Sequence, residues 1–355
     1  MTQRTSQPTR TSSNQLLLTL SHRLLMPLLL WLVAAAAVVA DEAQPIWLLS
    51  TRCAAHCGEL DDPHHAVCYS RATADCQWLP SDAAAFQTTD NAQVPTIVFV
   101  HGNRTDADEA ITKGCCAYEG MRTFASGRPF RFVIWSWPAE RALRKHRADT
   151  QLKAEYSDAE SYYLAYWLNN LRPGMPVALV GHSFGPRIIA GALHLLAGGA
   201  IDCRQLPNEI TVSWATGKRN PVRVMLLAAA MDGDALSPNG QNALALPLSE
   251  RSLITVNECD RVLKWYPRLY GRGGPEALGF LGPCGLTGNA DILDISSSVG
   301  RTHDWDRYCA AVTACGLWSQ YTFLDQSAES PSLVTAAAKQ YTATATQNTA
   351  VRLTP

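Results

Sequence analysis

The chain has 355 residues, 47% of them apolar, enough for one large core and a small accessory unit. Its formal charge is −1 and it carries no dense basic stripe, which argues against nucleic acid as a partner. Eleven cysteines suit an oxidising compartment and disulfides, and the odd number leaves at least one outside any pairing within the chain.

Residues 1–40 read as a targeting segment. Arg4, Arg10 and Arg23 precede an apolar run from Leu24 to Ala40, with no acidic residue among the first forty. Val38 and Ala40 fit the small-residue pattern before a cleavage point, and the acidic pair Asp41-Glu42 follows. The two readings are a cleaved signal peptide and an uncleaved membrane anchor. Both take the remainder out of the cytoplasm, to the periplasm or the medium. A chain beginning at Asp41 would carry −4.

Residues 41–94 form a first strand, Pro45 to Arg52, followed by a cysteine-rich stretch over 53–93 that reads as loop. Its segment CAAHCGELDDPHHAVC holds Cys53, His56, Cys57, His64, His65 and Cys68. That spacing matches no standard zinc pattern, so disulfides are expected there and no metal.

From Pro95 short apolar runs alternate with helical spacing. TIVFVHG, FRFVIWSWP, PVALV, VRVMLLAAA (Val222 to Ala230), SLITVN (Ser252 to Asn257) and DILDISSS (Asp291 to Ser298) read as strands. Residues 106–126, 139–171, 184–197 and 304–316 read as helices. In the second of these Tyr156, Tyr163, Leu164, Trp167, Leu168 and Leu171 recur at intervals of three and four. Such alternation means an α/β architecture, a mostly parallel central sheet with helices on both faces. Ligands of such sheets bind at the carboxyl ends of the strands. The tail, residues 327–355, is rich in Thr, Ala, Ser and Gln and is expected to be poorly ordered.

One strand-to-helix junction carries chemistry. PVALVGHSFGPRIIAGALHLL sets Ser183 between Gly181 and Gly185, where the chain must turn sharply. Flanking glycines remove the Cβ clashes that would block the turn. Ser183 Oγ would then rise above the sheet edge beside the free N–H groups of a helix start. Pro186 sits in the first helical turn, where a missing N–H costs nothing.

Motif and context together resemble the α/β-hydrolase superfamily, of the serine esterase and lipase kind, over residues 95–316 of a catalytic region spanning 95–326. The succession STR, FVHGNR, IWSWP and GHSFG also resembles a group of uncharacterised bacterial exported proteins. The His-Gly-Asn loop is similar to one in haloalkane dehalogenases, which need an aspartate where this chain has Ser183. The hydrolase resemblance implies a nucleophile, acid and base in the order serine, aspartate, histidine. Ser183 is then the nucleophile, and the backbone N–H groups of Asn103 and Phe184 form the oxyanion hole. His101 precedes the serine and is structural. His303, just after the last strand, is the base in preference to His194, which lies inside the helix after Ser183. The acid is Asp260, after the penultimate strand, with Asp232 and then Asp234 as alternatives one strand earlier. Asp260 could also cap a helix.

Trp135 and Trp137, at a strand end beside the site, have two readings, residues of the core, as such tryptophans more often are, and the lining of an apolar acyl pocket. Arg187 could steer an anionic substrate or pair with an acid. Adjacent Cys115 and Cys116 would take separate partners. The implied function is carboxylic-ester hydrolysis through a Ser183 acyl-enzyme, with no cofactor and no metal and with a small ester or a lipid as substrate. Thioesterase or amidase chemistry is the near variant. The rival is a non-catalytic secreted or envelope protein that keeps the scaffold for binding. Oligomeric state and cysteine pairing stay open.

Overall fold

The chain is described from a computed structural model that covers residues 46–73, 77–216, 219–269, 271 and 273–325. The expected targeting segment, Cys76 and the tail from Ser327 lie outside the described residues.

The strands are β1 (Ile46–Ser50), β2 (Cys68–Ala72), β3 (Trp78–Ser81), β4 (Thr96–Val100), β5 (Arg131–Ser136), β6 (Val177–His182), β7 (Val222–Leu227), β8 (Arg251–Val256) and β9 (Asp291–Asp294). They form one sheet in the order β3-β2-β1-β5-β4-β6-β7-β8-β9. The β1–β2 and β2–β3 pairs are antiparallel and the others are parallel. The helices used below are α1 (Ala83–Gln87), α2 (Ala107–Arg122), α3 (His146–Asn169), α4 (Gly185–Leu196), α5 (Asn208–Ala215), α6 (Leu278–Leu281), α7 (Ser296–Val299), α8 (Trp305–Ala314) and α9 (Trp318–Tyr321).

The middle strands β4, β5 and β6 are buried at every position and mostly apolar because both faces of the sheet are covered. Alternate residues face opposite ways. Ile97 and Phe99 of β4 enter the core built with Met121 of α2 and Val312 of α8. Val98 and Val100 enter the core built with Leu164 of α3 and Ile188 of α4. Helix α2 starts on a capping box, with Asp106 and Glu109 each accepting the other's backbone N–H. Strand β4 lies between β5 and β6, so the chain reverses direction across the sheet there. The carboxyl ends of β4 and β6 frame the crevice where such folds place ligands.

Three expectations change. The stretch read as loop over 53–93 contains the β2–β3 hairpin, which extends the sheet at one edge. Its strands CYSRA and WLPS are half-covered and polar, so they carry no apolar run. Pro80 is tolerated because β3 is the edge strand. The strand expected to Ala230 stops at Leu227, because Ala228 takes a φ of 49° and turns the chain. The strand expected to Ser298 stops at Asp294, whose Oδ1 accepts the Ser296 N–H and starts α7.

A buried carboxylate ties the start of the cysteine-rich stretch to the core. Glu160 of α3 is fully buried, accepts Thr51 Oγ1 at 2.6 Å and Trp135 Nε1 at 2.7 Å, and pairs with His56 Nε2. These contacts satisfy a charge that would otherwise be costly in the interior. No disulfide joins two cysteines among the described residues. No described helix is long and apolar enough to cross a membrane.

Candidate active site

The turn between β6 and α4 is as tight as its glycines suggest. Ser183 has a φ of 59°, in the left-handed region that side chains avoid. A Cβ on Gly181 would lie 2.5 Å from Pro186 N, and one on Gly185 would lie 2.1 Å from Val100 O. Neither position admits a side chain. The strain, of the order of 1–3 kcal/mol, is held by the end of β7. Ser183 N donates to Leu227 O at 3.0 Å, and Ala230 N donates to Ser183 O at 2.9 Å.

The three residues separated in sequence meet in one line. His303 Nε2 lies 2.8 Å from Ser183 Oγ, and His303 Nδ1 lies 2.7 Å from Asp260 Oδ2. Asp260 is fully buried and every contact it makes is a donor's. Its Oδ2 also accepts the Tyr308 hydroxyl at 2.7 Å, while Oδ1 accepts Val262 N at 2.8 Å and Leu263 N at 3.1 Å. Asp260 therefore both holds the imidazole and caps the 3-10 turn Leu263–Leu269. An aspartate accepting at Nδ1 fixes the proton there and leaves Nε2 as an acceptor for the serine proton.

Asn257 and Tyr308 brace this line from behind. Asn257 Nδ2 donates to the Tyr308 hydroxyl at 3.1 Å and to Gly300 O at 2.9 Å, at the root of the loop that carries His303. Burial, then the Asp260 charge, pushes the Tyr308 phenol well up, so it stays a proton donor to that carboxylate. Neither residue stands out in the sequence, where a tyrosine on the buried face of α8 reads as core.

Two further imidazoles are kept neutral. His101, fully buried at the end of β4, bonds Gly102 O through Nδ1 at 2.9 Å and accepts Trp137 N at Nε2 at 3.2 Å. Burial pulls it down to about 3. His182 lies against His303, with ring centroids 5.2 Å apart, and burial followed by repulsion from His303 pulls it well down. Both rings titrate near pH 6.5 in an unfolded chain, so acid protonates the unfolded state first. Stability is expected to fall as pH drops below about 6.5, by up to about 1.4 kcal/mol per pH unit for each ring. His101→Gln, which keeps a donor and an acceptor, should flatten that dependence by one proton's worth. Urea midpoints at pH 7, 6 and 5 measure it. Midpoints equal at all three would contradict it.

The line opens into a cleft of about 1000 Å³ lined by Asn103, Ser183, Phe184 and His303. Neither the Asn103 nor the Phe184 backbone N–H has an acceptor among the described residues. Residues 81–270 match a family model described as an alpha/beta hydrolase of unknown function (DUF900).

The chain belongs to this α/β-hydrolase family.

The matched region contains Ser183 and Asp260 and ends before His303. Searches of curated proteins and of solved structures give no significant match. The α/β-hydrolase sheet, with its parallel strands and helices on both faces, is the architecture the sequence implied.

Several expected residues stand elsewhere in this α/β hydrolase. Asp232 accepts the Tyr266 hydroxyl at 2.7 Å and makes no contact with His303, and Asp234 is exposed. His194, inside α4, accepts Leu244 N through Nδ1. Trp135 and Trp137 do not line the cleft. Trp135 turns toward α3 and donates to Glu160, because its place in β5 puts it on the α3 side of the sheet. Trp137 stacks on His101 and donates to its carbonyl at 2.9 Å, bracing the loop before Asn103. Arg187 pairs with Asp158 at 3.1 Å.

Proposed function

We propose that this α/β-hydrolase chain is an exported serine hydrolase that cleaves carboxylic esters, with a small ester or a lipid as substrate. The observation that carries the reading is the hydrogen-bonded line from Asp260 through His303 to Ser183, mounted on a strained turn at the mouth of the cleft. In this reading Ser183 Oγ attacks the carbonyl carbon while His303 Nε2 takes its proton. The oxyanion forms against the Asn103 and Phe184 N–H groups, where two fixed donors lower the barrier by several kcal/mol, each typically about 3 kcal/mol. His303 returns the proton to the departing alkoxide, leaving an acyl group on Ser183. Water, deprotonated by the same imidazole, then releases the acid and restores the serine. Esters suit this site better than amides because an alkoxide departs more readily than an amide anion. Export is supported by the arginines and apolar run of residues 1–40.

The test uses the chain from Asp41 and p-nitrophenyl butyrate in a rapid-mixing instrument. The expected trace is a burst of nitrophenolate equal to the enzyme concentration, then a slower steady rate, with a butyryl adduct on the Ser183 peptide. A folded chain that hydrolyses no ester from acetyl to octanoyl overturns the reading and favours a binding protein on the same scaffold.

A further inference from the structure

The cleft at Ser183 has an electrostatic character of its own. The chain as a whole is near neutral, at −1. The cleft lining carries five lysine and arginine side chains against three carboxylates. Two of those groups are spent on each other, since Lys113 pairs with Glu109 at 3.9 Å. Arg104, Arg147, Arg261 and Arg268 remain, and none of them has a carboxylate within 4.0 Å among the described residues.

All four line the cleft that holds the reacting serine. Arg104 follows Asn103 directly and holds a φ of 58°, with its N–H donating to Ala139 O at 2.7 Å, so the loop that presents it is fixed. Arg261 follows Asp260, and its backbone N–H donates to Arg301 O. Arg268 lies over the Trp265 ring at 3.2 Å, and Arg147 Nε donates to Leu269 O at 3.0 Å. The ring stack restrains the Arg268 guanidinium and the carbonyl bond restrains that of Arg147, while for Arg104 and Arg261 it is the backbone that is held. Val262, just before the 3-10 turn, and Trp265 within it are 55% and 56% accessible on the same cleft. Asp304 and Asp306 also line the cleft, so the four guanidiniums that lack a carboxylate partner leave it with an excess of positive charge, which an anion would relieve.

Building on the serine-hydrolase reading, we propose that the cleft selects acyl esters that also bear a phosphate- or carboxylate-class anion, bound by Arg104, Arg147, Arg261 and Arg268. The apolar turn takes the acyl chain and the guanidiniums take the charge. The same chemistry occurs in a soluble phosphoester and in an anionic lipid.

Calorimetric titration of the Ser183→Ala chain tests this independently of turnover. The probes are butyryl and octanoyl glycerol 3-phosphate, each beside its uncharged monoglyceride. Each phosphate ester is expected to bind at least ten-fold tighter than its uncharged partner at 20 mM salt, with the advantage shrinking at 300 mM. Arg261→Gln/Arg268→Gln in the same background should bring the ratio toward one. Tighter binding of the octanoyl than the butyryl phosphate assigns a lipid, and equal binding a soluble ester. Equal affinity for charged and uncharged esters, or no binding of either, overturns the proposal. Binding with this preference but no hydrolysis by the Ser183 chain overturns the hydrolase reading alone.

Discussion

Ser183→Ala is expected to lower kcat/KM for an acyl ester by about 10,000-fold or more, and His303→Ala by a comparable factor, since nucleophile and base act as one unit. The physical reason is the 2.8 Å contact between His303 Nε2 and Ser183 Oγ, without which neither a neutral hydroxyl nor a lone imidazole attacks efficiently. The double variant should be hardly worse than either single one. Folding is not the confounder. Alanine keeps the Cβ that already tolerates a φ of 59°, and the backbone bonds to Leu227 and from Ala230 are untouched. Thermal melting of Ser183→Ala should therefore stay within a few degrees of the parent. Retention of ester turnover in a folded Ser183→Ala chain would place the nucleophile elsewhere.

Asp260→Asn is expected to lower kcat by about 10,000-fold with little change in KM. Here the sign comes from which oxygen does what. Asp260 Oδ1 receives two backbone N–H groups, from Val262 and Leu263. The carboxamide oxygen of an asparagine must occupy that position, which turns its NH2 toward His303 Nδ1 and the Tyr308 hydroxyl. A donor facing Nδ1 forces the proton to Nε2. That tautomer presents a hydrogen to Ser183 Oγ rather than a lone pair, and the serine proton has nowhere to go. Asp260→Ala would lose the cap as well, so the asparagine variant isolates the tautomer. Parallel steady-state kinetics and urea melts check this. A loss confined to KM, or none, would contradict it.

The extent to which the sequence announced this arrangement follows from which signals are local. The β6–α4 turn was legible because its cause is local: a serine with positive φ needs glycines where Cβ atoms would meet Pro186 N and Val100 O. The central strands were legible because burial on both faces leaves near-continuous apolar runs, with the polar residues Thr96, Arg131, Ser136 and His182 confined to strand ends. Asp260 and His303 follow the ends of β8 and β9, where strand-end loops of a parallel sheet converge. The β2–β3 hairpin was not legible, since a half-covered edge strand such as WLPS has no apolar repeat. Of the two readings of Trp135 and Trp137 the core one holds, and the sequence left the choice open because nearness to a strand end does not tell which face a side chain takes. Phase in β5 decided that, turning Trp135 to Glu160. Tyr308 and Asn257 act only through neighbours brought from 43 to 51 residues away, and no spacing rule reports such contacts.

The central claim is that Ser183 is a nucleophile activated by His303. The most direct measurement is labelling of the folded chain from Asp41 with a fluorophosphonate, followed by mass mapping of the modified peptide. The account predicts a single adduct on Ser183, absent from Ser183→Ala and at least a thousand-fold slower in His303→Ala. No adduct on Ser183 in the folded wild-type chain, or labelling at an equal rate in His303→Ala, would contradict it.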